Sequence, residues 1–200
     1  MPELFEILLA SASPRRRELL ATLGLNVLVV PSNVDEGERP GYDPRELASL
    51  HAAAKADAVA ARDGSRVIVA ADTVVDVDGV PLGKPQDPDE ALRMLRALSG
   101  REHLVHTAYA LVDGSGGRRV DDVETTRVRF HPLAEDELAE YVASGDPFDK
   151  AGGYGIQGRG AALVAGIDGD FYTVMGLPLG RLVRRLRAWG YTLPSAGAHT

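Results

Sequence analysis

Apolar and polar residues come in short alternating blocks along this chain, and the blocks predict interleaved strands and helices. Phe5 to Ala10 reads as a short buried strand. Ser11-Ala12-Ser13-Pro14 breaks it and opens a helix, with Ser13 as N-cap and Pro14 in the first turn, and Gly24 stops that helix. A second strand is expected at Val27 to Val30, then an acidic loop from Pro31 to Tyr42. Asp43-Pro44 starts an alanine-rich helix that runs to about Arg62. Val67 to Ala71 predicts a third buried strand ending at Asp72-Thr73, and Val74 to Leu82 a hairpin that turns at Asp78-Gly79. Pro88 begins a helix that stops at Ser99-Gly100. Two long strands are expected at 102–112 and 119–131, then a helix at 134–143. A glycine-rich loop spans 151–160, a strand covers 161–167, Gly169-Asp170 turns into another strand, and Pro178 to Trp189 is the last helix.

Interleaved elements with antiparallel hairpins predict an α/β fold, a mixed sheet flanked by helices. No repeat or low-complexity linker divides the chain, so residues 1–193 are expected as one domain and 194–200 as a flexible tail. A length of 200 residues with 44% hydrophobic content supports a real core. The net charge of -7 argues against a protein that coats nucleic acid, which needs a basic excess. The absence of cysteine excludes disulfides, thiolate nucleophiles and cysteine-ligated metal centres. No apolar run matches a signal peptide or a membrane span, so a cytoplasmic protein without membrane partners is expected. Only Lys55, Lys84 and Lys150 among the 22 basic residues are lysine. Chance explains such survivors, or a site that wants a compact ammonium instead of a planar fork.

Chemistry concentrates at the predicted strand ends. Ser11-Ala12-Ser13-Pro14-Arg15-Arg16 brings two hydroxyls and two guanidinium groups to a helix N-terminus. The free N–H groups and dipole there favour anions, and arginine adds bidentate phosphate contacts. The plainer reading is a capped helix with solvated arginines. Asp72, directly after a buried strand, is a candidate general base or metal ligand, or simply a turn residue. Asp35-Glu36 offers carboxylates from a third strand end, which hard divalent cations favour; a solvated acidic loop is the rival. Gly83-Lys84-Pro85 fixes a lysine between two rigidifying residues, whereas Lys55 reads as part of a solvated helix face.

Some motifs fail on context. Gly153-Tyr154-Gly155-Ile156-Gln157-Gly158 matches the dinucleotide-binding pattern in letters, yet no strand precedes it and a strand, not a helix, is expected after it. The phosphate loop of kinases and ATPases is absent, as are H-E-x-x-H and G-x-S-x-G. His103 and His106 lie three apart in a predicted strand, hence on opposite faces.

Taken together, these segments resemble the Maf family of nucleotide pyrophosphatases, from about residue 6 to 187. The resemblance is carried by Ser11 to Arg16, Val34-Asp35-Glu36, Ala71-Asp72-Thr73, Gly83 to Asp87, Leu98-Ser99-Gly100, Asp149 to Gly158 and Met175-Gly176-Leu177-Pro178, in that order. It implies a mixed α/β fold with a cleft between two lobes, a homodimer, and cleavage between the α and β phosphates of a nucleotide. It places the general base on Asp72 and the phosphate and metal region on Ser11, Arg15, Glu36, Lys55 and Lys84, with a divalent cation (Mg, Mn or Co) near Glu36 and Asp72. The glycine loop is similar to that of a subgroup acting on dTTP and UTP, whose specificity positions correspond to Arg15, Thr73 and Gln157; a sister subgroup acts on 7-methyl-GTP. Two other functions fit less well: a nucleotide-binding regulator of cell division, and a pyrophosphatase for modified purine nucleotides.

Overall fold

The computed structural model describes residues 6–35, 37, 41–114 and 117–193. In chain order these form β1 (Glu6–Leu9), α1 (Pro14–Ala21), β2 (Asn26–Val29), α2 (Pro44–Ala60), β3 (Val67–Val77), β4 (Val80–Leu82), α3 (Pro88–Leu98), β5 (Glu102–Asp113), β6 (Arg118–Phe130), α4 (Glu135–Ala143), β7 (Val164–Asp168), α5 (Phe171–Met175) and α6 (Leu179–Ala188). Three 3-10 turns, Asp146–Asp149, Ala151–Gly153 and Gly158–Leu163, connect α4 to β7.

The described strands form one mixed sheet in the order β2-β1-β3-β5-β6-β7, with β4 also on β3. β1 lies parallel to both β2 and β3, and every other pair is antiparallel. Alternation along β3 sorts its side chains by face. Val67, Val69 and Ala71 pack with α1 and α6 through Leu19, Leu20, Leu182 and Leu186. Ile68 and Ala70 face Ala56 and Val59 of α2. Farther along, Val75 and Val77 join a separate apolar cluster with Leu95 and Leu98 of α3 and Leu138 and Tyr141 of α4. β3 therefore passes from one core cluster to another, and Asp72-Thr73 lies at the crossing.

Helix α2 can lie close to the sheet because Ala48, Ala52 and Ala56 repeat every fourth residue, all at most 1% exposed. The row beside them, Leu47, His51, Lys55 and Val59, is buried too. The Asp43 carboxylate fixes where the helix begins, accepting from the N–H groups of Arg45 and Glu46. Asp78 and Gly79 turn the β3–β4 hairpin with φ of 56° and 82°, the left-handed pair that a two-residue hairpin wants.

Three expectations need correction. β3 does not end at Ala71; it continues to Val77, paired with β5 as far as Asp76 and with β4 from Val75. Polar residues look like a strand end, but a strand runs on through them when their side chains find partners. The strand expected at 161–167 starts only at Val164, since Gly158–Leu163 is a 3-10 turn. Gly169-Asp170 leads into helix α5, not a strand: the Asp170 carboxylate accepts from Thr173 N–H at 2.7 Å and caps the turn. The acidic loop is described only in part, and the tail 194–200 lies outside the described residues. No helix among the described residues is long and apolar enough to cross a membrane.

Candidate active site

The register of β3 creates a notch. β1 covers one of its edges at Val67 to Val69, and β4 covers the same edge at Val75 to Val77, because β5 holds the other. No described strand pairs residues 70–74 on the β1 side. The chain leaving β1 bonds there through Ala10 N–H to the Val69 carbonyl at 2.8 Å, and α1 sends Arg16 to both Ser11 and Thr73.

Asp72 points to the α2 face and is 6% exposed. Its Oδ1 accepts from Lys55 Nζ at 2.7 Å, and its Oδ2 lies 3.2 Å from His51 Nδ1. His51 and Lys55 are one helical turn apart on the buried row of α2, so they reach the same carboxylate. Among the described residues, His51 Nε2 is buried without a hydrogen-bond partner. An ionised carboxylate only accepts, so His51 Nδ1 carries a proton and donates to Asp72. Burial pushes the Asp72 carboxyl up; the His51 hydrogen bond and the charges of Lys55 and Arg16 outweigh it and hold the group below the usual carboxylate range. Asp72 is thus an anion at neutral pH.

Thr73, next in the strand, faces the other way. Its Oγ1 accepts from Arg16 Nη2 at 3.1 Å and lies 3.0 Å from Thr107 Oγ1, whose own proton goes to the Thr173 carbonyl. Arg16 also donates through Nη1 to Ser11 Oγ at 3.0 Å and through Nε to the Gly176 carbonyl at 2.8 Å. Ser11 Oγ in turn accepts from Ser13 N–H at 3.3 Å, while Ser13 itself provides no side-chain cap. This corrects the expectation that both arginines present themselves to an anion. Arg16 is buried and ties Ser11, Thr73 and the loop before α6 into one unit.

Arg15 lies half-buried at the start of α1. It reaches Asp149 with a fork, Nη1 to Oδ2 at 2.7 Å and Nη2 to the backbone carbonyl at 3.1 Å. The glycine loop that follows is docked from several sides. Gly152 N–H donates to the Gly83 carbonyl at 2.9 Å, which sets the exposed Lys84 beside the loop. Gly152 has φ of 67°, and a Cβ there would come within 2.9 Å of Val75, so only glycine fits. Gly155 N–H donates to Tyr141 Oη at 3.2 Å, and Tyr154 Oη lies 2.7 Å from His103 Nε2 beneath the loop. Gln157 itself is exposed.

The structure therefore pairs Lys55 with Asp72 on one face of β3 and links Ser11 to Thr73 through Arg16 on the other, and brings Arg15 and Lys84 against the loop that carries Gln157. Lys55 corrects the pattern reading: it is 4% exposed and ion-paired, not on a solvated face. Glu36 lies outside the described residues. Its neighbour Asp35 is exposed and accepts from Gly37 N–H at 3.0 Å within a turn. The residues missed in the sequence are His51, Arg16 in its bracing role, and Asp149; spacing could have flagged His51, four residues before Lys55. An anionic carboxylate suits a hard divalent cation, though no three His, Cys, Asp or Glu converge among the described residues. Both Asp72 oxygens are engaged by Lys55 and His51, so the described residues form no closed cation cage, and a cation here would draw its other oxygens from elsewhere, as Mg²⁺ does from substrate phosphates.

Known proteins resemble this chain over most of its length. A family profile described as Maf-like protein matches residues 6–189. A dTTP/UTP pyrophosphatase of Carboxydothermus hydrogenoformans is 50% identical over 186 residues, covering 93% of this chain and 100% of that protein. One from Thermus thermophilus is 49% identical over 185 residues, covering 92% and 95%. Among solved structures, a HAM1 protein from Coxiella burnetii superposes with a TM-score of 0.55 at 18% identity, covering 92% of this chain and 99% of that one, a likeness of fold. With its profile match running from β1 through α6, and so through Ser11, Lys55, Asp72 and Thr73, the chain belongs to the Maf family.

Proposed function

We propose that this protein hydrolyses dTTP and UTP to the nucleoside monophosphate and pyrophosphate. The observation that carries the reading is the buried Asp72–Lys55 ion pair beside the α1 N-terminus, a carboxylate and a cation set where a triphosphate could lie across them. Relatives named dTTP/UTP pyrophosphatase support the substrate class.

Water attacks the α-phosphorus, the bond to the bridging oxygen breaks, and pyrophosphate leaves while Asp72 takes the proton of the attacking water. Lys55, Lys84 and Arg15 bind phosphate oxygens, and the α1 N-terminus adds its free N–H groups. Ser11 and Thr73, braced by Arg16, line the notch. Asp72 and Glu36 would hold a divalent cation (Mg, Mn or Co), which supplies charge neutralisation at the phosphates. Gln157 would face the base, its amide matching the N3–H donor and carbonyl acceptor of uracil and thymine. A homodimer in the cytoplasm belongs to the same reading.

Pyrophosphate release from a panel of UTP, dTTP, CTP, GTP and modified purine nucleotides, with Mg²⁺, Mn²⁺ or Co²⁺, tests it. Fastest turnover of UTP and dTTP is expected. Binding without turnover would favour a regulator, and preference for modified purines would replace the pyrimidine assignment.

A further inference from the structure

The start of α1 and the glycine loop are joined by one ionic chain. Lys150 Nζ donates to the Asp146 carbonyl at 2.6 Å and to Asp149 Oδ1 at 2.5 Å. The other oxygen of Asp149, and its backbone carbonyl, take the fork of Arg15. The lysine end is the anchor: its side chain is 16% exposed, against 57% for Asp149 and 28% for Arg15. Its stem lies flat on the loop, since a Cβ on Gly155 would stand 2.8 Å from Lys150 Cε. Burial pushes the Asp149 carboxyl up, and the hydrogen bonds from Lys150 and Arg15 more than reverse this, so it is ionised at neutral pH.

Stability does not account for this chain. An ion pair as exposed as Arg15–Asp149 adds little to stability. What the fork does fix is orientation. A guanidinium bound through one side-chain oxygen and one backbone oxygen of the same residue has a set plane and a set position. Two of its five N–H donors are spent on Asp149, which leaves others for a ligand. The backbone carbonyl that holds it belongs to the segment that enters the loop of Gln157.

We propose that Asp149, held by Lys150, is a specificity-determining positioning residue, which fixes the Arg15 guanidinium relative to the loop that carries Gln157. A nucleotide touching both is then read at one set separation, and a larger purine meets Arg15 and Gln157 out of register. The inference rests on the proposal that Arg15 and Gln157 face the substrate.

The test measures kcat/KM for UTP, dTTP, CTP and GTP on wild type and on Asp149→Asn, Lys150→Met, Arg15→Ala, Gln157→Ala and the double variant Arg15→Ala/Asp149→Asn. Asp149→Asn and Lys150→Met should each lower the UTP:GTP ratio by roughly five- to tenfold, the scale of a 1–1.4 kcal/mol contact, with kcat/KM for GTP falling less than that for UTP. Because Asp149 acts through Arg15, adding Asp149→Asn to Arg15→Ala should change the ratio less than about twofold, the signature of coupled residues. If Arg15→Ala and Gln157→Ala lower the ratio while Asp149→Asn and Lys150→Met keep the wild-type ranking, the positioning role is wrong and the substrate-facing reading stands. Losses that multiply in the double variant would reduce Asp149 to a brace of the loop and overturn the proposal. An unchanged ranking in Arg15→Ala would remove its premise. Should one single variant fail to fold, the other carries the test, since they cut the chain at different links.

Discussion

Replacing Asp72 by Asn separates what the carboxylate does for the reaction from what it does for the fold. The side chain is 6% exposed and neutralises Lys55, which is 4% exposed. Removing one member of a buried ion pair costs about 3–5 kcal/mol, because a compensating charge is withdrawn from a poorly solvated site. Asn keeps the volume and one acceptor for Lys55 at the 2.7 Å position, which points to the lower end, about 3 kcal/mol. Its amide N–H₂ then meets the protonated Nδ1 of His51, two donors face to face, unless the imidazole moves its proton to the buried Nε2. Neither arrangement recovers the loss. For a domain of this size, 1 kcal/mol corresponds to roughly 2–4 °C, so Tm should fall by about 6–12 °C. Turnover of UTP should fall by about a hundredfold to ten-thousandfold if Asp72 is the general base. Thermal unfolding by circular dichroism and steady-state pyrophosphate release on the same preparation give both numbers. A Tm within about 2 °C of wild type, well under that range, would show that the ion pair adds no net stability, and the argument from burial fails. A variant keeping more than about a tenth of wild-type kcat would show that Asp72 is not the base.

Three other outcomes are expected. Excess EDTA should abolish turnover while Tm changes little, since the cation is proposed to arrive with substrate phosphates; full activity in EDTA would sink the metal's role. Gln157→Ala should cost about 1–3 kcal/mol of transition-state binding for UTP and dTTP and much less for GTP, so an unchanged ranking in kcat/KM would end base reading by Gln157. His103 is pushed down to about 4 from 6.5 by burial, so its contribution is fully present above pH 6.5 and is lost as pH falls toward 4. At 1.36 kcal/mol per pH unit this is at most about 3 kcal/mol, and His103→Gln should flatten the fall of Tm across that window; an equal slope in the variant would assign the acid sensitivity elsewhere.

Helices were the legible part of the fold. Asp43 and Asp87 cap α2 and α3, each before a proline, and both starts could be read directly. The strands were harder where polar residues enter the sheet. Thr73 and Asp72 interrupt an apolar run, and only the pairing with β5 reveals that β3 continues. Helix α5 was hidden because Phe171–Met175 is five residues long and rich in strand formers, so its Asp170 cap outweighs propensity. Asp72 itself was legible as an acid following a buried run. The partner Lys55 was not, because an alanine-rich helix shows little contrast between its faces and a lysine defaults to the solvated one. Arg15 and Arg16 are adjacent and identical in kind, yet one is buried as a brace and the other lies at the surface. That division depends on Thr73 and Gly176, distant in sequence and brought near only by the fold.

The geometry around Asp72 also bears on how a carboxylate so firmly held could take a proton. Whatever lowers its affinity for protons also lowers its strength as a base, and here a hydrogen bond and two cations do so. On the proposed mechanism the arriving triphosphate changes that balance. Its oxygens compete for the ammonium of Lys55, which sits on a flexible stem, while the His51 ring is held on the buried row of α2. As Lys55 turns toward phosphate, Oδ1 loses its donor and the carboxyl regains basicity with a water close by; His51 keeps Oδ2 in place. A compact ammonium on a flexible stem can change partners in this way with a small movement. An arginine would hold the carboxylate through a bidentate fork and release it less readily. In a chain where arginine supplies nearly all other basic positions, this gives a physical reason for lysine at residue 55.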